Sequence, residues 1–142
     1  MQTFLPYPDF KQSAMALDYR RLGKQRVEAY QILNTIKNGS GWKNHPAVLM
    51  WIGYENALKD YYNHMVKEWI NRGYKNNMKL IDIQGEIVMP WWLGNEDFHR
   101  AMRARLIEKN EDFYSSIFFN DKGFNDGKYL WPVNEKKSFK MI

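Results

Sequence analysis

The segment from residue 18 to residue 28 contains side chains of the types that nucleic-acid chemistry uses. It reads Asp-Tyr-Arg-Arg-Leu-Gly-Lys-Gln-Arg-Val-Glu, with four cations spread over about two helical turns. Arginine and lysine at this spacing can neutralise several phosphates along a groove of a nucleic acid. The segment therefore predicts nucleic-acid contacts by Arg20, Arg21, Lys24 and Arg26.

Glu28 is the carboxylate of this segment that could take part in a reaction. It follows Arg21 by seven residues, two turns further along the same helical face. A carboxylate among cations is held ionised and can stabilise a cationic transition state. The same residues also fit an ordinary exposed helix, in which a Lys24–Glu28 ion pair contributes about 0.3–0.5 kcal/mol. The residues alone leave both interpretations open.

Two further groups of side chains are candidates for DNA contacts. The loop at residues 39 to 45 contains an aromatic ring and a cation, Trp42 and Lys43, and it ends with His45 at the start of a helix. The alternative is that this loop only covers the core. His99 and Arg103 lie one helical turn apart and could reach one phosphate or base edge. Alternatively, they interact with nearby surface carboxylates.

Metal sites and nucleotide cofactors are not indicated by the sequence. The three histidines, His45, His64 and His99, have no paired helical spacing, and the chain has no cysteine. A phosphate-cradling glycine loop, a dinucleotide-binding fingerprint and a serine-nucleophile motif are likewise missing from the sequence. We therefore expect no metal and no cofactor.

The positive charge is concentrated near the start of the chain. The net charge of the 142 residues is +5, and residues 11 to 45 alone carry seven cations against two carboxylates. A basic zone confined to one segment favours a polyanionic partner, such as a nucleic acid or an acidic protein, and the alternative is an ordinary solvated basic face. No signal peptide and no transmembrane segment is apparent, so we expect a monomeric cytoplasmic protein without a membrane partner.

The length and the apolar periodicity predict an all-α fold in a compact single domain, residues 1–142, with three main helices. After an extended lead-in, the first helix is expected at about residues 12–37. The second is expected from Pro46 to about Arg72, with an apolar stripe at spacings of three and four. The third is expected to begin after Asn95 as N-cap. The stripe of the second helix comprises Trp51, Tyr54, Leu58, Tyr61, Met65 and Trp69.

The remaining segments are expected to be irregular. Residues 74–94 form a long connection in which 80–83 and 86–89 could each be a short strand. Phe113 and Ile117 would extend the apolar face of the third helix. Beyond Phe119 the chain is rich in turn residues, and we expect an irregular C-terminal segment.

Several motifs in a fixed order carry a resemblance to a known family. They are Leu22 to Glu28 (Leu-Gly-Lys-Gln-Arg-Val-Glu) and Gly41 to Val48 (Gly-Trp-Lys-Asn-His-Pro-Ala-Val), followed by Phe98-His99-Arg100 and Tyr129-Leu130-Trp131-Pro132. In these motifs the chain resembles the pyrimidine-dimer DNA glycosylases of the phage endonuclease V type, especially their compact bacterial and phage relatives. The resemblance extends over most of the chain.

The resemblance implies an all-helical domain that grips duplex DNA, kinks it and flips a base out of the stack. It also implies nucleophilic chemistry, in which a chain-terminal α-amine attacks the deoxyribose anomeric carbon and expels the base. The resulting imine then permits strand cleavage by β-elimination. An α-amine suits this task because its pKa, roughly 7.7–8.0, leaves a neutral fraction near pH 7. A helix glutamate supports the cationic intermediate.

The chain departs from the phage pattern at two positions. Gln2 is too bulky for efficient removal of the initiator methionine, so the free amine is expected to belong to Met1. Alignment of the Asp18 to Arg21 segment puts Arg21 where the catalytic glutamate belongs, which leaves Glu28 as a substitute candidate. Lys24 is an alternative amine if its pKa is lowered by neighbouring cations and burial.

Two hypotheses of function follow. The first is a DNA glycosylase with possible AP lyase activity on damaged or modified pyrimidines, using Met1 or Lys24 as the amine and Glu28 as the stabilising carboxylate. The second is a catalytically inactive DNA-binding or protein-interaction module on the same scaffold. The first hypothesis requires that the start of the chain lie against the first long helix, beside Glu28.

Overall fold

A computed structural model describes residues 1–39 and 41–142, so Ser40, in the predicted loop 39–45, lies outside the described residues. The described chain is mostly helical, with a small two-stranded sheet near its C-terminal end. The helices are α1 (Phe10–Ala16), α2 (Tyr19–Asn38), α3 (Pro46–Leu49), α4 (Glu55–Asn71), α5 (Glu96–Lys109) and α6 (Glu111–Tyr114), and the strands are β1 (Leu130–Val133) and β2 (Ser138–Met141).

The first predicted helix is divided into α1 and α2 at Leu17 and Asp18. Both residues have extended backbone angles, and Asp18 is the N-cap residue of α2. The Asp18 side chain is buried, where Oδ1 accepts a 2.5 Å hydrogen bond from Tyr114 Oη and Oδ2 accepts one of 3.1 Å from Arg21 Nη1. These bonds fix Asp18 in a cap conformation that interrupts the helix, and its partner Tyr114 comes from a segment 96 residues later.

The second predicted helix is also divided, because the chain turns between α3 and α4. Gly53 has a φ of +87° in this turn, a left-handed value that glycine adopts without steric cost. The predicted apolar stripe is nevertheless confirmed as core. Its buried members are Trp51, Leu58, Tyr61, Met65 and Trp69, and Tyr54 is partly buried against them.

The third predicted helix begins where the sequence indicates and ends early. Asn95 Oδ1 accepts a hydrogen bond from the Phe98 N–H at 3.0 Å, the expected N-cap bond of α5. The helix stops at Asn110, whose φ of −154° is not helical. The prediction that Phe113 and Ile117 extend its apolar face is therefore wrong, and both side chains are exposed.

The connection between α4 and α5 contains no strand. Residues 80–83 and 86–89 are irregular, so neither of the two possible short strands is present. The Asn63 side chain instead holds the connection, since Nδ2 donates to Ile81 O and Oδ1 accepts from Ile81 N, both at 2.8 Å. These two hydrogen bonds resemble those between paired residues of neighbouring β-strands, but the connection forms no strand.

The C-terminal segment, predicted to be irregular, forms the antiparallel pair β1 and β2. Trp131 is paired with Lys140, and the Trp131 ring is buried in the core. Proline at position 132 lacks a backbone donor, which is tolerated because a two-stranded sheet has only edge strands. The fold is thus mainly helical and not purely all-α. Within the described part of the chain, no helix is both long and apolar enough to cross a bilayer.

Helices α2 and α4 pack closely at Gly23. A Cβ atom built on Gly23 would lie 3.1 Å from a ring atom of Trp69, so a side chain there would push the helices apart. The same Trp69 ring contacts the guanidinium of Arg26, whose Cζ lies 4.0 Å from the ring centroid. These contacts of Gly23 and Arg26 with Trp69 hold α2, which carries the charged segment, against α4.

Candidate active site

The first residues of the chain are held in place by side chains of α2 and α4. Gln25, which is fully buried, donates from Nε2 to Gln2 O at 3.0 Å and accepts at Oε1 from Phe4 N at 2.8 Å. Tyr61 Oη donates to Phe4 O at 2.8 Å and also contacts Gln25 Oε1 at 2.5 Å. The backbone of residues 2 to 4 therefore has a fixed position against α2.

His99 of α5 anchors the next residue. Its Nδ1 lies 2.7 Å from Leu5 O, and its Nε2 accepts from Gly94 N at 2.9 Å. The second bond requires a lone pair on Nε2, which places the proton on Nδ1, where it is donated to Leu5. Burial lowers the pKa of His99, and it outweighs the opposing effect of the Leu5 bond. The structure thus places His99 inside the protein as an anchor for the chain start.

Arg103 has a similar place on α5. Nη1 donates to Pro6 O at 2.9 Å, Nε to Asp121 at 2.7 Å and Nη2 to Glu96 at 2.8 Å. A guanidinium with these three partners has little capacity left for a phosphate. The partners of His99 and Arg103 are therefore groups of the protein itself, a buried carbonyl for His99 and two carboxylates and a carbonyl for Arg103.

A cavity of about 230 Å³ opens where the chain start meets α2. Two elements distant in sequence complete its wall, the C-terminal end of α5 and the residue before β1. The residues that line it are Met1, Gln2, Phe4, Arg21, Lys24, Gln25, Glu28, Lys109 and Tyr129.

Glu28 lies in this cavity with its carboxylate partly shielded from solvent. Burial raises its pKa, while the positive charges of the Met1 α-amine, Lys24 and Lys109 and a hydrogen bond from Gln25 oppose that rise. The hydrogen bond joins Gln25 Nε2 to Glu28 Oε2 at 2.7 Å. The expectation that the chain start lies beside Glu28 is confirmed, and the cavity places an amine and a carboxylate together.

Tyr129 forms part of the cavity wall. Burial raises its pKa to about 12, and the nearby negative charges of Glu108 and Glu28 act in the same direction against Arg105. The ring packs against Phe4 and Trp131, with centroid distances of 6.4 Å and 5.4 Å. An uncharged phenol on this aromatic wall is suited to a nucleobase or sugar.

A row of rings continues from Trp131 towards the surface. The His45 ring lies 5.8 Å from Trp131 and 5.7 Å from Trp42. His45 Nδ1 accepts from Ala47 N at 3.0 Å, and burial, with the positive charge of the Met1 amine, lowers the pKa of His45. Trp42, at the end of the row, is 59% exposed. More than half of the Trp42 side chain is therefore open to solvent.

The remaining predicted residues differ in position. Arg21 lines the cavity, although its guanidinium is already paired with Asp18. The side chains of Arg20 and Lys43 are exposed, as is that of Lys24 at the cavity. Arg26 lies outside the cavity lining, where Nη1 donates to Asn76 at 3.0 Å and the guanidinium covers Trp69.

Sequence reasoning missed several residues of the cavity. Gln25 precedes Glu28 by three residues, a spacing that places two side chains on one helical face and could have indicated the pair. In the sequence, Gln2 is notable only for its size and Tyr129 only as part of the family resemblance, while Lys109 has no distinguishing feature. Their convergence depends on the tertiary fold. Among the residues that the structure describes, no three histidine, aspartate or glutamate side chains form a group that could hold a metal ion.

Comparison with known proteins agrees with this geometry at the level of the family. No curated protein and no solved structure is significantly similar to the chain. The sequence model of one family, described as pyrimidine dimer DNA glycosylase, matches residues 1–82. This match covers more than half of the 142 residues and includes the anchored chain start and Glu28. The chain therefore belongs to the pyrimidine dimer DNA glycosylase family.

Proposed function

We propose that this protein is a DNA glycosylase with AP lyase activity that acts on damaged or modified pyrimidines in double-stranded DNA. The observation that carries the proposal is the position of the chain start, whose Met1 lines the same cavity as Glu28. In this proposal the Met1 α-amine is the nucleophile and Glu28 stabilises the cationic intermediate. The chemistry uses no metal and no cofactor.

The proposed reaction begins when the neutral amine attacks C1′ of a flipped nucleotide. A bond forms between the amine nitrogen and C1′, the C1′–base bond breaks with its electron pair going to the base, and the amine proton ends on the base. Opening of the C1′–O4′ bond, in which O4′ takes a proton from water, then gives a protonated imine. The Glu28 carboxylate stabilises this positive charge across the cavity. Transfer of a C2′ proton to water, with breaking of the C3′–O bond, then expels the 3′ phosphate and cleaves the strand.

Lys24 remains a second candidate for the amine. It lines the cavity but is exposed, and it also suits a phosphate contact. Met1 is favoured because the backbone that follows it is fixed by Gln25 and Tyr61. A reacting group held in one geometry loses less entropy on reaching the transition state than a mobile lysine does.

The proposed DNA-binding surface surrounds the mouth of the cavity. Arg20, Lys24 and Lys43 are exposed and free to neutralise phosphates. Trp42 offers an exposed ring on which a base can stack. We propose a monomer of one domain, residues 1–142, in which this surface holds kinked DNA while the damaged nucleotide enters the cavity.

The test is covalent trapping. The protein is incubated with a duplex that contains one cyclobutane pyrimidine dimer, in the presence of borohydride, which reduces an imine to a stable amine. We expect a protein–DNA adduct, and mass spectrometry of its peptides should locate the adduct at Met1 rather than Lys24. The same duplex without the dimer is the control.

The second candidate function is a DNA-binding module without catalysis. Arg21 favours it, because an arginine stands where the phage motif has its glutamate. Tight binding of the dimer duplex without adduct or nicking would support the module and overturn the glycosylase proposal.

A further inference from the structure

The lining of the cavity carries more positive than negative charge. Its charged groups are one carboxylate, that of Glu28, and four cations, which are the Met1 α-amine, Arg21, Lys24 and Lys109. Among residues 1–39 and 41–142, the α-amine and the two lysines form no ion pair. A cavity with this excess of positive charge suits an anionic ligand.

The two amide side chains of the lining are engaged by the protein itself. Gln25 donates to Gln2 O and to Glu28. The Gln25 oxygen accepts from Phe4 N and contacts Tyr61 Oη. The Gln2 oxygen accepts from a neighbouring backbone N–H, and its nitrogen is enclosed by the protein. The lining side chains that remain for a ligand are the charged groups and one phenol, which suit a phosphorylated sugar better than the edge of a base.

Arg21 differs from the other cations of the lining because its guanidinium is held in place. Nη1 donates to Oδ2 of Asp18 at 3.1 Å. Asp18 is buried, and its carboxylate also accepts from Tyr114 Oη at 2.5 Å and from Asn110 Nδ2 at 3.3 Å. The Arg21 side chain is 17% exposed. A cation that is already held in one orientation loses little side-chain entropy when it binds a ligand.

The other two nitrogens of the Arg21 guanidinium remain open. Nε and Nη2 have no hydrogen-bond partner in the part of the chain that the structure describes. In that part, the buried side-chain atoms without a partner belong to Gln2 and Arg26, so the two Arg21 nitrogens are not enclosed. Nε and Nη2 form one edge of the planar guanidinium, a fork that matches two oxygens of a phosphate. Arg21 thus combines a fixed orientation with open donors.

We propose that Arg21 binds the phosphate of a deoxyribose phosphate whose C1′ aldehyde reacts with the Met1 amine. The inference rests on the proposed function, because it takes that amine as the nucleophile. The ligand class is a phosphorylated aldehyde sugar, which has two sources, an abasic site in DNA and free 2-deoxyribose 5-phosphate. Lys24 and Lys109 add to the positive potential that attracts this anion.

The test is reductive trapping of two sugars that differ by one phosphate. The wild type is incubated with 2-deoxyribose 5-phosphate or with 2-deoxyribose in the presence of cyanoborohydride. The Met1 nitrogen bonds to the aldehyde carbon, water leaves, and hydride from cyanoborohydride reduces the imine to a stable amine. Peptide mass spectrometry measures the adduct at Met1. We expect the phosphorylated sugar to reach half-saturation at a concentration about 10–100-fold lower.

Two variants of Arg21 separate phosphate binding from a structural role. Arg21→Gln should reduce the preference for the phosphorylated sugar about tenfold or more, while trapping of 2-deoxyribose stays close to that of the wild type. Arg21→Lys keeps the charge and a partner for Asp18 without the planar fork, so its preference should be intermediate even if Arg21→Gln does not fold. Lys37→Gln, at an exposed position of α2 outside the cavity lining, is the matched control.

The same variants are compared on a duplex that contains one abasic site, which distinguishes the two sources of the ligand. A loss in Arg21→Gln on both the abasic duplex and the free sugar phosphate supports both sources. A loss on one of these probes supports the inference for that source alone.

The remaining outcomes overturn the inference. Wild-type behaviour of Arg21→Gln on both phosphorylated probes would exclude Arg21 from phosphate binding. Equal losses on 2-deoxyribose and its 5-phosphate would mean that Arg21 only supports the structure. Either result leaves the proposed function standing. If the wild type forms no adduct with the sugars, the abasic duplex or the dimer duplex, the proposed function fails and the inference fails with it.

Discussion

Gln25 donates a 2.7 Å hydrogen bond from Nε2 to Oε2 of Glu28. The same nitrogen donates to the backbone carbonyl of Gln2, and the oxygen of the same amide accepts from Phe4 N. One buried side chain therefore fixes the carboxylate and the chain start relative to each other. In the proposed mechanism the amine attacks and the carboxylate stabilises the resulting cation, and both roles require the relative position that Gln25 fixes.

Glu28→Gln should remove the charge that stabilises the imine while keeping the shape of the side chain. We expect single-turnover trapping on an abasic duplex to fall about 10²–10³-fold. Duplex binding, measured by fluorescence anisotropy, should not weaken, because a repulsive charge is lost. Glu86→Gln, at an exposed position in the connection, is the control. Unimpaired trapping by Glu28→Gln would remove Glu28 from the mechanism.

The acid limb of the pH–rate profile should report on Glu28. Burial raises its pKa above the ordinary 4.5, so the carboxylate takes up its proton at a higher pH than an exposed glutamate does. In the proposed mechanism the ionised form of Glu28 is the active one, so kcat/KM should decline as the pH falls through that raised pKa. Lys109 counteracts the rise, so Lys109→Gln should move the acid limb to higher pH. Lys67→Gln, exposed on α4, should leave the limb in place.

Lys24→Gln should weaken binding to undamaged duplex at low salt. Each lost phosphate contact reduces the slope of log K against log salt concentration by about 0.9. Lys37→Gln is a control on the same helix, 13 positions later and roughly 140° round the axis. The two slopes, obtained from anisotropy titrations at several salt concentrations, should differ. Identical slopes would exclude Lys24 from the DNA surface.

Trp42→Ala should reduce affinity for damaged duplex by about 1–3 kcal/mol if the ring stacks on a base. Trp42→Phe should retain most of the binding, because phenylalanine also offers an aromatic face. Trp42 is the most exposed of the six tryptophans, so acrylamide quenching of wild-type fluorescence should diminish when DNA is added. The prediction fails if DNA leaves the quenching unchanged. Trp91→Phe, where the ring is partly buried, controls for loss of a tryptophan.

His99→Gln should lower the free energy of unfolding at pH 7 by about 1–3 kcal/mol, since His99 bonds both Leu5 and Gly94 in the interior. Burial depresses the pKa of His99 below 6.5, so the unfolded state binds the proton more readily. Its contribution to stability is therefore present above about pH 6.5 and is lost as the pH falls below that value. Urea denaturation between pH 5 and 8 should show a shallower pH dependence in the variant than in the wild type. His64→Gln controls for the replacement of a histidine.

Local sequence patterns predicted the elements whose determinants lie close together in the chain. The spacing of Trp51, Leu58 and Tyr61 identified the core face of the second helix, and Asn95 identified the start of α5. The break at Asp18 could not be predicted in the same way. It depends on a bond to Tyr114, which no periodicity within the first forty residues reveals.

The residues of the candidate site were likewise predicted only in part. Met1 was predicted from the family resemblance and Glu28 from its place among cations, and both line the cavity. His99 was predicted to contact DNA, yet the structure places it in the interior, because its environment is made by Leu5 and the loop before α5. A histidine on a helix has the same appearance in sequence whether it faces solvent or a buried carbonyl.

The anchoring of the chain start has a consequence for synthesis of the protein. The carbonyls of Leu5 and Pro6 are bonded by side chains that lie 94 and 97 positions further along the chain. While the ribosome is still making the first half, those carbonyls have no partners, and the amine has no fixed relation to Glu28. The nascent polypeptide therefore carries both groups without an assembled cavity, which is complete only after α5 has been translated and has packed.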